Sequence, residues 1–100
     1  MGWATPHIAL LRAGEAAVFR PLGHSMSPRI NSGQLCTVEP VLPASLAAFD
    51  IVLCVVNGTQ YLHIVKAIDS GRYQIGNNRG GINGWICASA IFGRLTAVQD

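Results

Sequence analysis

The segment Gly23-His24-Ser25-Met26 contains the residue best suited to chemistry, a serine in a stretch too marked by glycine and proline to be the interior of a strand. Such a serine can stand exposed as a nucleophile. Its hydroxyl is weak on its own and needs a base within hydrogen-bond reach, with main-chain amides nearby to hold a developing oxyanion. The candidate bases are His24, His63, Lys66 and, remotely, His7. His24 adjoins Ser25, and neighbouring side chains of extended backbone point to opposite sides, which sets it aside as the base. His63 and Lys66 lie in the run Tyr61-Leu62-His63-Ile64-Val65-Lys66-Ala67-Ile68. Period-two alternation puts His63 with Val65 on one face and Lys66 with Leu62 and Ile64 on the other, so only one of the two bases can face Ser25. Gly23, His24 and Met26 are expected to line a groove beside the nucleophile.

The elements that must position these residues read as strands. Short β-branched and apolar runs closed by glycine, asparagine or proline predict strands at 16–20, 34–39, 50–56, 59–67, 72–76 and 91–98. Asn57-Gly58 has the residues a type I′ hairpin turn requires, and Asp69-Ser70-Gly71 marks a second turn. Helix is expected only within the first dozen residues and in a short turn at 43–48, where Pro43 suits a first-turn position. The stretch from Asn77 to Gly84 is dense in turn formers and predicts a flexible loop that joins strands or borders a groove. Trp85, Tyr61, Phe19 and Phe92 read as core or groove lining. The expectation is one mostly β domain over residues 1–100, with 1–15 as an N-terminal segment that packs on its own core or docks on an exposed surface.

Composition narrows the function. The chain has 100 residues, half of them apolar and 12% charged, with a net charge of +2 and its basic residues scattered singly, a pattern that predicts no nucleic-acid partner. The longest apolar run, Ile51 to Val56, is far short of the ~18 residues a membrane span needs, so a soluble protein without an integral membrane segment is expected. No secretory signal is visible, which predicts a cytoplasmic location. Cys36, Cys54 and Cys87 are odd in number and lack metal-ligand spacing, which predicts buried reduced thiols, no metal and no cofactor.

Four motifs in order resemble the serine peptidase superfamily of type I signal peptidases and LexA-type self-cleaving repressors. Gly23-His24-Ser25-Met26-Ser27-Pro28 resembles its nucleophile box, and Ser32-Gly33-Gln34-Leu35-Cys36-Thr37-Val38 its next strand, with Gln34 where aspartate is usual. Phe49-Asp50-Ile51-Val52-Leu53 resembles its Gly-Asp-Ile-Val strand with Phe49 in place of the glycine, and Phe92-Gly93-Arg94-Leu95 its closing Gly-Arg-Val strand. The resemblance runs from about Val18 to Val98 and implies a small LexA/signal-peptidase-like β-fold. Lysine is the usual base in this superfamily, while some membrane-embedded members use histidine in a run like Val-His-Arg-Val, which Leu62-His63-Ile64-Val65 fits without a gap.

The resemblance thus implies a serine endopeptidase with Ser25 as nucleophile and His63 as general base, acting on a peptide or protein substrate. Lys66 stays open as the alternative base, and it requires a desolvated setting that lowers its pKa. The acidic third member found in some relatives is expected near Asn77 and Asn78, where no acid stands. Membrane-anchored and DNA-binding appendages of the relatives are not seen, which suits a small phage or prophage protein processing one partner. Ala13-Gly14 imitates a self-cleavage bond, but the short tether to Ser25 argues against cleavage in cis. The alternative function is a catalytically silent domain of the same fold that binds a peptide, a protein or another copy of itself through an exposed strand edge.

Overall fold

The computed structural model describes residues 2–100. After one helix, α1 (Thr5–Arg12), come seven strands: β1 (Ala17–Phe19), β2 (Leu35–Glu39), β3 (Ile51–Val56), β4 (Thr59–Asp69), β5 (Arg72–Gly76), β6 (Ile82–Cys87) and β7 (Ile91–Gln99). They form one antiparallel sheet in the order β1-β2-β7-β3-β4-β5-β6, so the protein is mostly β with a single short helix. Two-residue turns close the β3–β4 and β4–β5 hairpins. Asn57 and Gly58 (φ 49° and 82°) and Ser70 and Gly71 (φ 51° and 75°) have the paired positive angles of type I′ geometry.

β3 lies near the middle of the sheet and is buried on both faces, which is why Ile51-Val52-Leu53-Cys54-Val55-Val56 is a continuous apolar run rather than an alternating one. One face joins Ile51, Leu53, Leu62 and Ile64 to Met26, Ile30 and α1, whose Ile8 and Leu11, with Ala4 just before it, point into the core. The N-terminal segment therefore packs on its own core. The other face joins Val52, Cys54 and Val65 to Tyr73, Ile75 and Ile86. At Gly93 the helix and β2 come so close that a Cβ would stand 3.0 Å from Leu11 and 2.7 Å from the Glu39 carbonyl oxygen, which accounts for that glycine.

Phe49 falls on a bulge. Phe49 N–H donates to the Val65 carbonyl (2.7 Å) while Val65 N–H donates to the Asp50 carbonyl (2.8 Å), so two residues of one strand oppose one of the other. Phe49 holds φ 74°. This is a G1 bulge, whose first position ordinarily requires glycine. Asp50 N–H also bonds the Ala47 carbonyl and its Oδ2 accepts from Ala47 N–H, closing the turn that leads into the bulge.

Three expectations are corrected. The stretch from Asn77 to Gly84 is not all loop, since β6 starts at Ile82; and Trp85, at 42% exposure, faces solvent rather than core, because β6 is the last strand of the sheet. Cys36 and Cys54 are buried free thiols, but Cys87, on the same edge strand, is an exposed one. Burial alone pushes the Cys54 thiol up to about 12 and raises Cys36 as well.

Two outcomes follow from these environments. Replacing Phe49 by glycine removes the positive-φ cost from a residue that is 65% exposed, and after glycine's own entropic cost the fold gains about 1 kcal/mol. A urea midpoint at or below that of the wild type would refute this. In the native protein an aromatic disulfide reagent titrates Cys87 alone, and Cys36 and Cys54 react only after denaturant is added.

Candidate active site

The loop between β1 and β2 carries Ser25 out to solvent while Met26 and Ile30 anchor it in the core. Internal bonds hold its shape: Ile30 N–H to the Met26 carbonyl (3.0 Å), Gly23 N–H to Ser32 Oγ (3.1 Å) and Gly33 N–H to the Pro21 carbonyl (2.9 Å). Arg29 donates to the Phe49 carbonyl (2.9 Å), tying the loop to the bulge that begins β3. On the other side Asn78 N–H donates to the Ser25 carbonyl (2.8 Å) and its Nδ2 to the Ser27 carbonyl (2.9 Å). The main-chain amides of Ser25 and Met26 donate to no acceptor among the described residues.

Ser25 Oγ lies 3.2 Å from His63 Nε2, within the reach of a proton transfer. His63 is 7% exposed and is the one buried polar or charged residue among those described. Its other ring nitrogen, Nδ1, is 2.7 Å from Asn83 Oδ1. An amide oxygen only accepts, so Nδ1 carries the proton and the Nε2 lone pair faces the serine hydroxyl. Tyr61 stacks on the imidazole at 4.6 Å between centroids. Desolvation lowers the His63 pKa below its ordinary 6.5, and the hydrogen bond to Asn83 opposes that shift in part.

Lys66 follows His63 by three residues, where the β4–β5 register shifts between Val65 and Ala67, and its methylene chain packs against Gly76. The hydrogen-bond partner of the serine is the histidine. Asn77 and Asn78, where a third member was expected, instead build the loop. Asn77 Oδ1 accepts from Arg79 and Gly81 N–H, both at 2.8 Å, and Asn78 docks that loop on the serine segment. The side chain that meets His63 Nδ1 is that of Asn83. Ile75 pairs with Gly84 and Gly76 with Ile82, so Asn83 is the extra residue of a bulge, and Gly84 beside it takes φ 144°. Bulges re-aim side chains in this manner.

A cleft of about 560 Å³ adjoins the pair, bounded by Trp3, Leu22, Gly23, Met26 and Leu62 among others, with Ser25 and His63 in its wall. Gly23 and Met26 line it as expected. His24 does not; it is exposed, and its carbonyl accepts from Ser27 N–H in the turn that follows. One wall is an open strand edge. The Val65–Asp50 bond and the unbroken β3–β4 register direct the main chain of Tyr61 and His63 toward β3, and that of Gln60 and Leu62 away from it. β5 ends opposite Ile64, leaving Gln60 and Leu62 without a partner strand.

Compared with models of known protein families and with curated proteins, the chain matches none. Among the described residues no helix is long and apolar enough to cross a membrane, and no cluster of three or more metal-ligating side chains occurs.

The His63 environment sets a pH dependence. Because the folded protein resists protonating His63, the unfolded chain takes up that proton first, and stability is lost as pH falls below 6.5 through the lowered folded value. The His63 Cε1 proton, followed by NMR, titrates with a midpoint below 6.5 in the wild type, and Asn83→Asp moves that midpoint upward by placing a carboxylate against Nδ1. A wild-type midpoint above 6.5, or no movement in the variant, would contradict this geometry.

Proposed function

We propose that the protein is a serine endopeptidase in which Ser25 is the nucleophile and His63 the general base, of the type its motifs resemble. The observation that carries this reading is the chain of contacts Asn83 Oδ1–His63 Nδ1 and His63 Nε2–Ser25 Oγ, at 2.7 and 3.2 Å, beside a cleft with an open strand edge. The substrate is an extended peptide or a peptide segment of a protein, held by main-chain bonds to the free edge at Gln60 and Leu62.

In the reaction His63 Nε2 accepts the Ser25 hydroxyl proton as Oγ attacks the peptide carbonyl. The oxyanion of the tetrahedral intermediate is held by main-chain amides around Ser25, those of Ser25 and Met26 being free to donate. The imidazolium then returns its proton to the leaving amine, and the acyl group remains as an ester on Ser25. Water attacks this ester with His63 again as base, releasing the acid and restoring the hydroxyl. Asn83 keeps the ring in one tautomer throughout. As a neutral amide it supports the imidazolium less than a carboxylate would, and the lowered pKa keeps the base free at neutral pH.

Mass spectrometry of a peptide library after incubation tests the reading. Ser25→Ala and His63→Ala each lose activity by about 10³-fold or more, while Lys66→Ala retains it. Asn83→Leu falls by roughly 10-fold or more, since the tautomer is then no longer selected. Cleavage that survives in His63→Ala but not in Lys66→Ala would transfer the base to the lysine. Peptide binding without cleavage by any form would make the domain a peptide-capture module that uses the same open edge.

A further inference from the structure

We propose that Trp3 is a specificity-determining residue, an aromatic stop that fixes how far a bound peptide extends along the open edge of β4. The inference rests on reading the cleft as a peptide site. It concerns the end of the cleft remote from Ser25, which the proposed chemistry does not use.

Of the main-chain groups that β4 leaves unpaired, the Gln60 carbonyl is already taken. Trp3 Nε1 donates to it at 3.2 Å, so the indole stands where a paired peptide would continue past Leu62. The ring also lines the cleft, with nearly half its surface exposed there and to solvent. It is not a loosely draped side chain. Its ring packs edge-on against Phe19 with centroids 5.5 Å apart, and the following residue, Ala4, is fully buried. Ala4 N–H donates to Gln60 Oε1 (2.6 Å), and Gln60 Nε2 donates to Thr5 Oγ1 (3.0 Å). Gly2 lies so close to the Gln60 carboxamide that a Cβ there would overlap it. Gln60 thus binds the start of the chain with its side chain and Trp3 with its main chain, and the indole is locked across the edge.

The geometry assigns lengths. A strand advances about 3.3 Å per residue, and the pairing positions Leu62 and Gln60 are two residues apart, so the stop stands roughly 7 Å beyond Leu62. A peptide can pair fully with Leu62. Residues that would reach Gln60 meet the indole and gain no main-chain bond.

The test uses Ser25→Ala protein, which holds peptide without consuming it, and capped peptides of alternating valine and threonine lengthened one residue at a time, with binding measured by calorimetry. In the Ser25→Ala background affinity climbs with length and then stops climbing. Adding Trp3→Ala lets it climb further, by roughly fivefold for the next paired residue, the value of one modest hydrogen bond. Adding Trp3→Phe, which preserves the aromatic wall, keeps the original stopping length and guards against a result caused by a loosened N-terminal segment. The same stopping length in all three proteins would overturn the role of Trp3. Failure of every peptide to bind would overturn it too, by removing the site itself. Failure of the peptidase reading is seen separately, as absence of cleavage by the Ser25 protein, and leaves the length dependence intact.

Discussion

A buried imidazole must find partners for both of its nitrogens, because an unsatisfied polar group in that setting costs about 1–3 kcal/mol. His63 is such a group, and much of the architecture around it supplies those partners. Asn83 satisfies Nδ1 from the far side of the sheet in sequence, and Ser25 meets Nε2 from a loop that comes before most of the strands. Neither partner is near His63 in the chain. Bringing them together needs the β4–β5–β6 meander on one side and the β1–β2 connection on the other, so the site exists only when the whole sheet has formed.

The β2–β7 and β3–β7 ladders carry register shifts of their own, at Thr37/Val38 and Leu53/Cys54, while three further departures from regular pairing lie around this geometry. The G1 bulge at Phe49-Asp50 opposes Val65, two residues beyond His63; the β4–β5 register slips between Val65 and Ala67; and the β5–β6 register slips at Asn83. A regular ladder would give every residue of β6 a partner on β5 and a fixed alternation of faces. The extra residue breaks that alternation, allowing Asn83 to reach the ring edge. Arg29 and Asn78 then lash the serine loop to the carbonyl of Phe49, in one of these bulges, and to the loop that precedes β6.

What was legible in the sequence was what local chemistry dictates. Alternation and turn residues located six of the seven strands and both two-residue turns; alternation also separated His63 from Lys66 without choosing between them, and it was the resemblance of Leu62-His63-Ile64-Val65 to a histidine run that pointed to the residue Ser25 contacts. β6 escaped because Asn83 and Gly84, just after Gly81, carry a turn former's signature; here Asn83 and Gly84 lie in a bulged edge strand whose weak local preference is overridden by pairing with β5. With β6 hidden, Asn83 could not be placed, and the neighbouring Asn77 and Asn78 drew attention instead. The faint signal was the run Trp85-Ile86-Cys87 just after the glycine, apolar enough to be a strand. The role of Trp3 was out of reach of any pattern, since its contact with Gln60 spans 57 residues and depends on where α1 lands.

Asn83 orients the His63 imidazole from the outermost strand of the sheet, and that location has a dynamic meaning. An edge strand is held by hydrogen bonds along one side only, so it opens by local fluctuations that leave the interior strands closed. Each such opening withdraws the amide oxygen and frees the imidazole to rotate or change tautomer while the bulk of the sheet stays folded. The population in which the Asn83–His63–Ser25 contacts are all made is therefore governed by the local opening free energy of β6, a smaller quantity than the stability of the protein. Anything that pairs with the free side of β6 and holds it closed acts on the histidine without touching it.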